Sequence, residues 1–148
     1  MTDALVQFLR ARLDEDEQAA QEAVADEFVT SGRWMARGPY GDGDHFGNIQ
    51  SEQSEQIVEE SLPWRTVVHI ARHDPARVLA EVDAHQRLVE LHAPLDVVGD
   101  SFTGCATCSW RDEMDELWVQ WPCPTIRLLA LPYAKHVGYR PEWAPDQA

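Results

Sequence analysis

The residues best suited to chemistry in this chain are its three cysteines, Cys105, Cys108 and Cys123. The first two form a C-x2-C pair, a spacing that lets one tight turn present two thiolates to a metal ion. Cys123 stands immediately before Pro124, which opens a predicted helix, and the partial positive charge of a helix start favours a thiolate there. Structural zinc takes four soft or borderline ligands in a tetrahedron, so the six histidines become candidates for the fourth position. His92, at the predicted end of a long helix, completes the pattern H-x12-C-x2-C-x14-C. His85 lies seven residues earlier on nearly the same helical face and is the second candidate; an acidic side chain or a water is a third. The order of a knuckle, a hairpin and then a ligand at a helix start is treble-clef-like.

Other chemistry fits these residues less well. Buried cysteine often serves simply as a small hydrophobe. A redox C-x-x-C normally follows a strand and opens a helix, whereas Cys105 sits between Phe102-Thr103-Gly104 and Ser109-Trp110-Arg111, a turn setting. An iron–sulfur cluster lacks its fourth cysteine. His69 and His73 have metalloprotease spacing, but H-I-A-R-H lacks the glutamate of H-E-x-x-H. His73-Asp74 reads as a helix cap before Pro75 rather than a catalytic pair. Gly41-Asp42-Gly43-Asp44 reads as a turn, because an EF-hand loop needs further alternating ligands and a terminal glutamate.

The elements that must position the cysteines follow from periodicity. Leu5, Phe8, Leu9, Leu13, Ala20 and Val24 recur at helical steps, so residues 2–28 are predicted as an amphipathic helix capped by Thr2 or Asp3. Residues 62–72 form a short helix or turn that ends before Pro75. Asp74 caps and Pro75 opens a helix to His92, stopped by Pro94. Residues 95–102 read as extended, 110–121 as a strand or hairpin arm, and 124–131 as a helix. Glycines and acidic residues dominate 29–60, which is predicted as loops with short strands around Trp34 and Phe46. The six tryptophans are expected chiefly in the core.

Composition bounds the class. With 148 residues and 44% hydrophobic content, the chain suits one domain over 1–148. A formal charge of −14 and no basic run argue against direct nucleic-acid binding. No apolar stretch suits a membrane span and no signal peptide opens the chain. An odd, closely spaced cysteine set fits a reducing compartment, so a cytoplasmic protein is expected.

Three segments, residues 5–17 (LVQFLRARLDEDE), 69–79 (HIARHDPARVL) and 121–130 (WPCPTIRLLA), carry a resemblance to an uncharacterised domain family of actinobacteria and their phages. Residues 29–60 carry none of it, and the family's Pro-Gly-Pro-Trp element is reduced here to Gly32-Arg33-Trp34. The resemblance implies these segments and the cysteine site, and no activity.

The expected structure is therefore α+β and mainly helical: a small single domain with a zinc knuckle and short hairpin packed on about three helices. Residues 29–60 would be a loop-rich insertion and 92–131 the zinc-binding subregion, with His92, Cys105, Cys108 and Cys123 holding a structural Zn2+. The expected role is a non-enzymatic accessory or regulatory protein acting through a protein partner. A metal-dependent or histidine-based hydrolase, using His73, Asp74 or Glu90, is the alternative. An acidic DNA-mimicking inhibitor is the third reading.

Overall fold

The computed structural model describes residues 4–25, 32–40, 45–96 and 103–145. Among the described residues are four α-helices, α1 (Ala4–Ala25), α2 (Trp64–Arg72), α3 (Pro75–Leu91) and α4 (Pro124–Ala130). Seven strands accompany them: β1 (Trp34–Tyr40), β2 (Phe46–Ser51), β3 (Ile57–Pro63), β4 (Pro94–Asp96), β5 (Thr103–Cys105), β6 (Trp110–Arg111) and β7 (Glu116–Leu117). Among the described residues every strand pair is antiparallel and helices accompany the sheets, which makes the fold α+β, with more helix than strand. The chain divides into two compact units, Glu15–Asp83 and the combination of Met1–Asp14 with Ala84–Ala148.

The first unit is built on the antiparallel sheet β1-β2-β3, with α2 packed on it. Strands stand around Trp34 and Phe46 as expected, but they join β3 in one sheet, which corrects the loop-rich reading of 29–60. The reason lies in which residues fill the inward positions of β2: Gly47, Ile49 and Ser51 are buried, while Phe46 is exposed. Alternation is present, but glycine and serine stand where a large apolar residue would have announced a strand. Gly47 is required there, since a Cβ would lie 2.6 Å from the Arg37 carbonyl oxygen and 2.8 Å from the Trp64 ring. Gly38, at φ +128°, sits where the β1–β2 register shifts between Arg37 and Tyr40. The glycines thus mark a bulge and a close approach inside a sheet.

The start of α3 is tied to the start of β1. Asp74 Oδ1 accepts the Arg77 N–H at 2.8 Å, the expected N-cap, and Oδ2 accepts the Trp34 N–H at 3.3 Å. The Gly32 carbonyl accepts the Ala76 N–H at 3.0 Å. His69 and His73 stack at the end of α2, with ring centroids 4.7 Å apart, and both are exposed.

In the second unit Leu5, Leu9 and Leu13 of α1, Val89 of α3, and Ile126 and Ala130 of α4 are buried, at the apolar positions that define each predicted helix face. Phe8 is ringed by Tyr133, His136, Tyr139 and Trp143 at centroid distances of 5.3–6.5 Å. Trp143 is the one tryptophan that is fully buried; Trp110 is 47% exposed and the other four are half-buried. The expectation of a tryptophan core is corrected accordingly, because an indole N–H needs an acceptor that an apolar interior seldom supplies.

The predicted caps Thr2 and Asp3, the extension of α1 to 28, the turn at 41–44 and the run 97–102 lie outside the described residues. No described helix is long and apolar enough to cross a membrane. Gly47→Ala is expected to lower stability by about 1–3 kcal/mol through overpacking against the Arg37 carbonyl and Trp64. A shift in the urea midpoint measures this, and an unchanged midpoint would show that the strand and Trp64 yield freely.

Candidate metal centre

The site is assembled by short-range devices at the end of α3 and along the strand that leaves it. α3 stops at Leu91, and the next residue, His92, still donates its N–H to the Leu88 carbonyl at 3.0 Å, so its ring is held by the helix. Pro94 removes a backbone donor and turns the chain into β4, which pairs with β5 in the register Pro94↔Cys105. That pairing sets Cys105 beside the end of α3. The turn 106–108 is pinned by the Ala106 N–H on the Ala93 carbonyl at 2.9 Å and by the Thr107 hydroxyl on the Leu91 carbonyl. The latter satisfies one of the carbonyls a helix end leaves without an intrahelical partner.

Cys123 arrives by a second route. The hairpin β6–β7 reverses the chain, and residues 119–121 return alongside β5. Cys105 N–H donates to the Val119 carbonyl at 2.8 Å, Trp121 N–H to the Thr103 carbonyl at 3.0 Å, and Gly104 bridges Gln120. Ser109 Oγ accepts the Val119 N–H at 3.0 Å and so locks the two arms of the loop together. Trp121 Nε1 donates to the His92 carbonyl at 2.6 Å, fastening the returning strand to the end of α3. Cys123 then takes the N-cap of α4, with φ −71° and ψ 167°, ahead of Pro124.

The result is a single cluster. The ligand atoms of His92, Cys105, Cys108 and Cys123 all lie within 4.8 Å of one another. Each sulfur is 3.4 Å from His92 Nδ1. Three thiols cannot all donate to the one lone pair of an imidazole nitrogen, so mutual hydrogen bonding does not account for this convergence. A tetrahedral ion does: with Zn–S of about 2.3 Å and Zn–N of about 2.0–2.1 Å, neighbouring S and N ligands stand about 3.6 Å apart. Cys105 and Cys123 are fully buried, His92 is 8% exposed and Cys108 is half-buried, so the four donors can hold a metal ion with little access for solvent. His85, the other histidine candidate on α3, is not among the grouped ligands, and neither are His69 and His73.

The thiols perturb one another strongly. Burial pushes the Cys108 thiol up, to about 12, reinforced by hydrogen bonding and negative charge at Cys105 and Cys123. For Cys105 burial also acts upward, but the backbone N–H groups of Cys108 and Thr107, together with the Cys123 and Cys108 side chains, outweigh it and leave the thiol below its ordinary value. The knuckle therefore already stabilises one thiolate through backbone N–H groups, while a second negative charge beside it is resisted until a cation enters. Spacing alone pointed to the cysteines and to the helix end. Trp121, Thr107 and Ser109, which fasten the three ligand-bearing segments together, carry no spacing signal, because each acts through a contact with a distant backbone group.

The sequence model of one protein family, described as a family of unknown function (DUF6221), matches residues 2–145, and the chain belongs to that family. No curated protein and no solved structure matches it.

At about pH 7 the Cys108 thiol retains its proton, and a divalent metal must displace it to bind. Loading the metal-free protein in weak buffer is expected to release at least about one proton per ion, and acidification to reverse the uptake as the sulfurs are reprotonated. A pH-stat titration measures this directly. Stoichiometric uptake with no proton release would put the ion somewhere other than the cysteine cluster.

Proposed function

We propose that this member of a family of unknown function is a non-enzymatic, zinc-stabilised accessory or regulatory protein of the cytoplasm that works by engaging a protein partner. The observation that carries the reading is the complete set of four protein donors at His92, Cys105, Cys108 and Cys123. Structural zinc sites fill all four positions with side chains, whereas catalytic zinc keeps one for water or substrate. Two thiolates beyond the first also make an ion less electrophilic, which suits a clamp better than hydrolysis. The metal would join the end of α3, the knuckle and the start of α4. Structural zinc contributes folding free energy on the order of 10 kcal/mol in small peptides.

The hydrolase alternative has less support. Asp74 gives both carboxylate oxygens to backbone N–H groups, and His73 stacks on His69 on the surface, so neither is arranged as an acid–base pair. The interaction reading draws on the hairpin β6–β7, which the cluster would anchor. Trp110 and Leu117 are cross-strand partners and about half exposed, and Met114 at the tip is 94% exposed. Asp112, Glu113, Asp115 and Glu116 surround them. Asp112 Oδ1 accepts the N–H groups of Met114 and Asp115, which shapes the tip and holds the Asp112 carboxyl below the usual carboxylate range. An apolar and acidic projection of this kind suits a partner with apolar and basic residues.

Elemental mass spectrometry of protein purified without added metal tests the core of the proposal. About one zinc per chain is expected, lost in Cys105→Ser, Cys123→Ser and His92→Ala and kept in His85→Ala. X-ray absorption of the zinc-loaded protein should give three sulfurs and one nitrogen; an oxygen bound in place of a sulfur would turn the reading toward hydrolytic chemistry. Well-folded protein without metal would end the zinc proposal altogether.

A further inference from the structure

A second concavity lies wholly within the unit Glu15–Asp83, away from the cysteines in sequence and in construction. It is a cleft of about 470 Å³ lined by Arg33, Trp34, Glu52, Arg72, Asp74 and Arg77, with small and apolar residues completing the wall. In a chain with twelve basic residues against twenty-six acidic ones, three arginines around one cleft are a local reversal of the overall charge.

The hydrogen bonds within the cleft leave it rich in donors. Asp74 spends both oxygens on the backbone N–H groups of Trp34 and Arg77. Arg33 pairs with Glu52 at 3.9 Å, and both side chains are largely exposed. Arg77 donates through Nε to Glu81 at 2.6 Å and through Nη1 to the Arg72 carbonyl at 3.3 Å, leaving further N–H groups of its guanidinium for a ligand. Arg72 enters that bond through its carbonyl, so its own guanidinium fork remains available. The Trp34 indole N–H is buried without an acceptor. A buried donor left in this way is unfavourable in the isolated protein, and a small shift of the ring toward an acceptor-rich molecule in the cleft that Trp34 lines would satisfy it. Arg77 also sits in the first turn of α3, where the helix dipole disfavours a cation; an anion beside it relieves that conflict.

We propose that this cleft is a binding site for a small oxyanion, the phosphate or carboxylate group of a small molecule, held by the Arg72 and Arg77 guanidiniums with the Trp34 indole N–H as a further donor. Guanidinium forks match the paired oxygens of either group, and the indole supplies a donor with no competing acceptor role. No residue lining the cleft belongs to the cysteine cluster.

The test is a titration of the full-length, 15N-labelled protein with inorganic phosphate and, separately, with succinate, at ionic strength held constant with chloride. The Trp34 indole resonance, assigned by its disappearance in Trp34→Phe, is expected to shift saturably, with a Kd of about 1 mM or tighter. Arg72→Gln and Arg77→Gln, each with an otherwise preserved spectrum, should weaken binding by about tenfold or more. The anion that saturates the shift identifies the ligand chemistry. Absence of a saturable shift with both anions would overturn the proposal, and so would binding of unchanged strength in both arginine variants.

Discussion

Three sulfurs each 3.4 Å from one imidazole nitrogen impose the constraint around which the C-terminal part of the chain is arranged. Groups that would all be negative as metal ligands oppose one another at such close range unless a cation lies between them. The burial-driven rise of the Cys108 thiol is the electrostatic signature of that conflict. Everything nearby serves to bring the four donors together despite it: the β4–β5 pairing, the Thr107 clasp on the end of α3, the Ser109 lock, and the Trp121 bond to the His92 carbonyl.

This arrangement explains how so little regular structure can be ordered there. β4 and β5 have three residues each and β6 and β7 two each, far too short to be stable as isolated hairpins. A metal ion held by the four donors would supply what a hydrophobic core otherwise supplies, by joining segments separated by many residues at one point. The hairpin beyond the cluster holds Trp110, Met114 and Leu117 toward solvent.

The unit Glu15–Asp83 solves its stability problem by different means. Its sheet buries Ile49 and Val67 and uses glycine where strands bulge or approach the Trp64 ring. Its arginine-lined cleft is polar, with guanidiniums and an orphaned indole donor in place of thiols. One chain thus combines a site suited to a soft cation with a cleft suited to a hard anion, each built from residues local to its own unit.

How much of this was legible in one dimension depended on whether the information was local. The helices were, because Leu5, Leu9 and Leu13 repeat at helical steps and because Asp74-Pro75 and Cys123-Pro124 mark starts that depend only on adjacent residues. The cysteine pair and Cys123 were legible as candidate ligands from spacing and residue type. The choice of His92 over His85 came from the idea that a helix end approaches a site more easily than its middle, and the coordinates bring His92 into the cluster. Strands around Trp34 and Phe46 were legible, but their union with β3 in one sheet was hidden, because the buried positions of β2 include glycine and serine and the register shifts at bulges. The arginine cleft was hidden for another reason: Arg33 precedes β1, Arg72 ends α2 and Arg77 lies in α3, and the Asp74 bonds to Trp34 and Arg77 help bring these segments together. Sequence by itself determined local geometry and ligand chemistry; tertiary structure alone decided which distant side chains share a space, because that depends on backbone contacts that leave no trace in residue spacing.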